Sequence, residues 1–411
     1  MSTTLSRRSL VAGAAGVAIA ARLPAPAIAE PNPVRVGLLT IKTGPLAPAG
    51  IQMEQGTTLF LKDANHTMAG RKIKLLVADT GGNPVGAKTK AQELIERDNV
   101  DLIFGPLAAF ELLAISSYVA GKKVPILSLA AAEDMTQRKP NPYFVRASAT
   151  SAQAMHPLAD FAATELKYKT VITVSDDFAF GYEQMGGFQR VFEDAGGRVV
   201  KKLWPPLVTP DYTPYLVQLG GGDAVVQGFA GANPGKFMQQ YKDAGLKLPL
   251  FGGEGAGDDA LLKSFGDEAI GLISASPYTS DFDSPSNKKL VAAMARDYQN
   301  VPGLAVASLY INGMVAEAAL EKTGGKTDDK DALIKALRAV SLDDTPRGPL
   351  HFDDLGNVVG NIFIRRCEKR DGKLVNATIK TYPNVSQFWT FDEKWFLEQP
   401  VYSRDYPPLK S

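Results

Sequence analysis

Apolar and polar positions along this chain switch repeatedly between two spacings, short apolar runs and helical repeats. Residues 34–39 read as a strand, 53–65 as a helix and 73–78 as a second strand. An amphipathic helix over 87–97, with Leu94 and Ile95 inward, leads to a strand at 100–104 that Gly105-Pro106 stops. A helix over 110–120 and a strand over 124–129 complete this run. The pattern then restarts. Strands are predicted at 170–175, 199–203, 223–228, 248–251 and 272–275, with helices at 186–195 and 234–244 between them. Periodic helices follow at 305–322 and 330–339, then shorter strands around Phe352, at 362–367 and at 377–382. Strands alternating with helices predict an α/β fold of two doubly wound lobes with mainly parallel sheets. Ligands of such sheets sit beyond the carboxyl ends of the strands, and two facing sheets form a cleft that is a favoured site.

The first residues change the picture. Ser6-Arg7-Arg8-Ser9-Leu10 precedes an uncharged run of Ala, Val, Gly and Ile from Val11 to Ala21, and Ala27-Ile28-Ala29 supplies small residues for cleavage. Residues 1–29 therefore read as an export signal, too short in its apolar part for a lasting anchor. The paired arginines suggest the twin-arginine route, with an ordinary secretory signal as the alternative. A protein working outside the cytoplasm has no pool of ATP or NADH, which demotes most enzyme readings.

Lys and Arg number 45 against 44 Asp and Glu, a formal charge of +1, so no bulk field attracts nucleic acid or an anionic membrane. A 411-residue chain exceeds one core and should divide. No later stretch reads as a bilayer span. Cys367, the single cysteine, reads as a half-buried thiol in a strand. The segment 384–411 gathers Phe388, Trp389, Phe391, Trp395, Phe396, Tyr402 and Tyr406. That much aromatic surface either seals one lobe or docks a partner.

Catalytic constellations are scarce. His66, His156 and His351 lack metal-ligand spacing and read as surface or capping residues. Gly324-Gly325-Lys326-Thr327 lacks the first glycine of a phosphate loop and follows a helix, so it reads as a turn. No metal site, cofactor or catalytic residue is assigned. Two loops lead straight into helices, through Leu107, Ala109 and Phe110 and through Leu129, Ala131 and Ala132. Both expose N–H groups at a helix start, a seat for a carboxylate, or else they simply pack tightly. Glu254, among the glycines of 253–257 after a strand, either faces a ligand or caps a helix.

Thr43-Gly44-Pro45-Leu46, Gly70-Arg71-Lys72-Ile73, Gly105-Pro106-Leu107, Asn141-Pro142-Tyr143-Phe144-Val145-Arg146, Asp177-Phe178-Ala179-Phe180-Gly181-Tyr182, Ala244-Gly245-Leu246-Lys247 and Gly252-Gly253-Glu254-Gly255 occur in this order. Together they resemble the leucine/isoleucine/valine-binding proteins, type I periplasmic binding proteins serving ABC importers. The resemblance implies two lobes joined by a three-crossover hinge, 35–150 plus 278–358 and 151–277 plus 359–383. It also implies a small carboxylate held by the loops at 107–110 and 129–132, and a ligand ammonium met at Glu254. Phe180 and the Phe229–Ala230 loop would close over the ligand, and Ser151 completes the expected site. A membrane permease is the implied partner, the protein itself a monomer.

Ala109 and Ala131 stand where amino-acid binders of this family place hydroxyls, and a common tyrosine is replaced at about Ala230. Each missing hydroxyl forgoes roughly 0.5–1.5 kcal/mol. The pocket therefore suits an aromatic acid as well as a branched-chain or other amino acid. A regulatory ligand sensor of the same fold is the first rival, and an exported enzyme the second.

Overall fold

A computed structural model describes residues 32–410; the expected signal at 1–29 lies outside them. The first sheet has six strands, β1 (Val34–Thr40), β2 (Thr67–Met68), β3 (Arg71–Asp79), β4 (Leu102–Phe104), β5 (Ile126–Leu127) and β6 (Phe144–Val145), in the order β2-β3-β1-β4-β5-β6. Helices α1 (Ala47–Asp63), α2 (Pro84–Gln92) and α3 (Ala109–Gly121) connect its strands. β1 lies between two parallel neighbours, which is why its sequence is nearly all apolar rather than alternating.

The second sheet repeats the plan with β7 (Thr170–Ser175), β8 (Arg198–Leu203), β9 (Ala224–Gly228), β10 (Leu250–Gly252) and β11 (Ile273–Ser276). Its helices are α4 (Ser151–Thr164), α5 (Ala179–Asp194), α6 (Thr213–Leu216), α7 (Asn233–Asp243) and α8 (Leu262–Phe265). The chain then returns to the first lobe through α9 (Pro285–Tyr298), α10 (Leu304–Lys322) and α11 (Lys330–Arg338), which share its core. Four more strands, β12 (Ser341–Leu342), β13 (Leu350–Phe352), β14 (Val358–Arg370) and β15 (Lys373–Val385), extend the second sheet through β14, which pairs antiparallel with β11, β13 and β15. β12 and β13 join the second sheet by backbone pairing, while Leu350 packs in the first lobe's core. A short helix, α12 (Glu393–Glu398), lies in the final segment.

Several elements differ from the sequence expectation. α4, whose residues are buried on nearly every side, escapes it because Pro157 lies inside and reads as a helix end. Its start is nevertheless capped reciprocally, Thr150 Oγ1 accepting from Gln153 N–H and Gln153 Oε1 from Thr150 N–H. The short strands expected at 362–367 and 377–382 are two halves of one hairpin, turned at Asp371 and Gly372 with φ of 49° and 76°. α10 has the length and hydropathy of a membrane span, against the sequence reading, yet most of it is buried. It packs so closely on α1 that a Cβ at Gly56 would lie 2.2 Å from the Val306 carbonyl oxygen. His156 is fully buried against Trp389, Phe391 and Phe396, not a surface group.

The final segment holds to both lobes. Gln387 bonds Thr136 and Asp353, and Arg138 donates to the Gln399 carbonyl. On the second lobe, the Arg190 guanidinium lies over five rings, those of Phe391, Trp395, Phe396, Tyr402 and Tyr406. Gly186 of α5 makes room for Tyr402, since a Cβ there would stand 2.3 Å from its ring. Gly186→Ala gains roughly 0.5–1 kcal/mol in helix propensity but overpacks a core at a cost of about 1–3 kcal/mol. The variant is expected to melt lower and to lose residues after about 386 faster to protease; an unchanged digestion pattern would show that Tyr402 is not seated there.

Candidate functional site

A cavity of about 90 Å³ lies between the two sheets, room for several waters or one small organic molecule. The first lobe contributes Leu46, Ala49 and Gln52 from the start of α1, Leu107, Ala108 and Ala109 from the start of α3, and Leu129 and Ala131. Leu304 and Ala305 come from the start of α10. The second lobe contributes Phe178, Phe180, Ala230, Gly231, Glu254, Gly255, Asp258 and Leu261. Of the residues expected from sequence, Leu107, Ala109, Leu129, Ala131, Phe180, Ala230 and Glu254 thus meet around one space.

Each wall has a local cause. Ala108 is the extended residue before α3, and the Glu111 carboxylate turns back to accept its N–H at 3.2 Å. Burial pushes Glu111 up to about 7, against the lowering effect of the Thr80 hydroxyl and the Ala108 N–H. The Ala109 and Phe110 N–H groups precede the helical ladder and carry the positive end of α3. The second loop is anchored by Ser128, which donates to the Pro106 carbonyl and accepts from Ala130 N–H. Ala230 is fixed from below, its N–H donating to Asp176, which also holds Asn233. Burial raises Asp176 to about 7. Phe178 and Phe180 stack at 5.8 Å with 21° between their planes, forming an aromatic wall.

The other expected residues lie elsewhere. Phe110 is turned into a small apolar cluster with Ile41 and Leu46, its ring edge-on to Phe178 at 5.7 Å across the cleft. Ala132 has a left-handed backbone, and its N–H and that of Glu133 donate to Glu183 of α5. Ser151 is buried at the first turn of α4, beside the Ala152 N–H that donates to Glu133. Phe229 lies wholly within the second lobe's core, packed against Tyr212 and Phe237. Alternation along a strand end puts Ala230 toward the cavity and its neighbour into the core.

Gln52, Phe178 and Asp258 were not anticipated. Phe178 belongs to the 177–182 stretch already singled out, and Asp258 to the turn that carries Glu254. Gln52 gave no signal, since a lone glutamine in an apolar helix reads as a surface residue. Among the described residues no group of histidine, cysteine and carboxylate side chains could hold a metal. Burial lowers His156 to about 3 and raises the Cys367 thiol to about 11, so neither is poised for chemistry.

Glu254 is the distinctive polar group. It is half-buried at the cavity wall and has no hydrogen bond or ion pair within the described chain. Desolvation raises it to about 8, although the buried Arg365, Arg347 and Arg146 pull the other way. An unpartnered carboxyl facing a cavity, next to free N–H groups at a helix start, can take a solute that both accepts and donates hydrogen bonds.

A family profile described as periplasmic binding protein matches residues 33–373. An ABC transporter substrate-binding protein from Sphaerobacter thermophilus is 32% identical in solved structure, with 87% of this chain and 99% of that chain covered and a TM-score of 0.81. A solute-binding protein of an ABC transporter from Rhodopseudomonas palustris BisB5, in complex with 3,4-dihydroxybenzoic acid, is 33% identical over 86% of this chain and 98% of its own, with a TM-score of 0.81. The Leu/Ile/Val-binding protein homolog 6 of Brucella suis is 29% identical, covering 85% of this chain and 91% of that protein.

Glu254 keeps its proton to about pH 8 when folded but only to its ordinary 4.5 when unfolded. The folded state therefore holds more protons between those values, and its stability falls as pH rises through that window. Glu254→Gln removes this contribution. The difference in melting temperature between the variant and the wild type should grow in the variant's favour from about pH 5 to about pH 8; a difference that stays flat would place the carboxyl in water.

Proposed function

Because this chain belongs to the periplasmic binding protein family, and its solved relatives are substrate-binding proteins of ABC transporters, we propose that it captures a small aromatic carboxylate carrying a hydroxyl and presents it to a membrane permease. The observation that carries this reading is the pairing, across one cavity, of unladdered N–H groups at the α3 start with the unpartnered Glu254 carboxyl. The first would hold the ligand carboxylate, aided by the helix dipole. The second, largely protonated at neutral pH, would exchange a hydrogen bond with a phenolic hydroxyl. The stacked Phe178 and Phe180 give the ring an aromatic face, and Ala109 and Ala131 leave it space. The relative bound to 3,4-dihydroxybenzoic acid supports the same class.

In this reading the work is done by binding alone. The described cavity wall carries no serine, cysteine or histidine that could form a nucleophile–base pair. The lobes close on the solute by hinge motion, and the closed form is what the permease recognises. Export through the segment 1–29 would deliver the protein to the periplasm. A second reading, an α-amino acid, is favoured by the similarity to a Leu/Ile/Val-binding homolog and by the carboxyl at 254, which an ammonium would ionise.

A thermal-shift series tests both. A ligand at 100 times its dissociation constant stabilises the folded chain by about 2.7 kcal/mol. The dihydroxybenzoate is expected to shift the melting temperature at lower concentration than benzoate, and Glu254→Ala to erase that preference, a loss of about tenfold to a hundredfold. Leucine should give no shift. A shift with leucine that Glu254→Ala abolishes, and none with the aromatic acids, would establish the amino-acid reading instead.

A further inference from the structure

Asp258 has an environment that the capture of a solute does not explain. It follows β10 in the second lobe and is only 7% exposed. Its Oδ2 accepts the Leu304 N–H at 2.9 Å, at the first turn of α10 in the other lobe. Its Oδ1 accepts from Gln52 Nε2 of α1 at 3.2 Å, again across the cleft, and from Ala260 N–H in its own turn. The adjacent Asp259 differs, bound to Arg365 at 2.6 Å and to Ser280 at the second crossover. A second bond joins the same elements, from Asn300 Nδ2 before α10 to the Ala260 carbonyl.

The residue ahead of α10 is Gly303, which has no side chain to cap the helix and an extended φ of −96°. α10 is the longest helix described, and its first turn supplies no capping side chain of its own. A Cβ at Gly303 would come 2.3 Å from Gln52 Oε1 and 2.4 Å from Asp258 Oδ1, so the glycine is what lets the pair meet. The cap of α10 therefore comes from the opposite lobe. When the lobes part, Leu304 N–H and the Asp258 carboxylate separate, and each must find water instead.

We propose that Asp258 is a closure-positioning residue: it completes the N-terminus of α10 only when the lobes are shut, with Gln52 as its second anchor, and so keeps the closed form populated whether or not a ligand is bound. This does not depend on which solute the cavity takes. A charged cap at a helix start is favourable by an amount that converts to roughly a five- to tenfold change in the closed-to-open ratio.

The test uses the full exported chain without ligand, spin-labelled at Val85→Cys and Val217→Cys. These positions are 76% and 78% exposed, one in each lobe, while the native Cys367 is buried. Electron–electron distance measurement should resolve two populations in the otherwise unaltered protein. Asp258→Ala should lower the closed-to-open ratio about five- to tenfold. Gly303→Ala keeps every hydrogen-bonding group yet wedges the pair apart, and should lower the ratio to the same level. Because both act on one contact, the double variant should match the singles rather than add to them. If Asp258→Ala fails to fold, Gly303→Ala decides alone. A single open population before any substitution, an unchanged ratio in Gly303→Ala, or full additivity in the double variant would each overturn the proposal.

Discussion

Three guanidinium groups almost without contact with water hold the crossovers between the lobes. Arg146 donates to the Ala130 and Ala132 carbonyls, to Thr136 and to Asn357, and so ties the first crossover to the third. Arg347, in the third, reaches back to the Ala147 carbonyl and on to that of Asn361. Arg365 binds Asp259 and the Tyr278 carbonyl at the second. A buried ion costs several kcal/mol unless its hydrogen-bonding groups are satisfied, so these contacts leave the connecting segments few alternative arrangements. Burial depresses Arg146 to about 10 and Arg347 to about 9.

The same cations set the chemistry of the cavity above them. Glu254 feels all three, yet desolvation still outweighs them and keeps its carboxyl neutral to about pH 8. Other acids cross the cleft. Glu183 of the second lobe accepts N–H groups from the first lobe's loop at 132–133, and Glu133 accepts the Ala152 N–H in return. Burial raises both, with Arg146 opposing the rise in each case. Asp258 does the same at the far rim. The two lobes thus meet through carboxylates on backbone N–H groups as well as through small apolar contacts such as Phe110 on Phe178 and Leu46 beside Ala230.

Much of this was legible in the chain. The strand–helix alternation over 34–129 and 170–275 gave both parallel sheets, because central strands such as β1 and β9 are buried on both faces and read as short apolar runs between helical stretches. The loops at 107–109 and 129–131 and the carboxyl at 254 were legible through the strand ends they follow. α4 was not, since Pro157 in its interior reads as a helix end. α9 carried a readable start, Ser284 capping Asn287 N–H before Pro285, that hydrophobic spacing alone passes over. The role of the aromatic tail was half legible: its rings had to be covered, but only the fold supplies Arg190 and Gly186 to receive them.

By itself the sequence determined what depends on neighbours a few residues apart: period, caps, turns, and the apolar content that forces two sheets to be covered. It also determined which loops end in helix starts and so which could meet an anion. Only the tertiary structure decided which groups from distant segments share a space. Phe229 and Ala230 are adjacent in the chain yet divided between core and cavity, while Gln52, Asp258 and Leu304 converge across hundreds of residues. The reason is physical. Local pattern fixes which face of an element turns inward, but the burial, pairing and proton affinity of a polar group depend on everything packed around it.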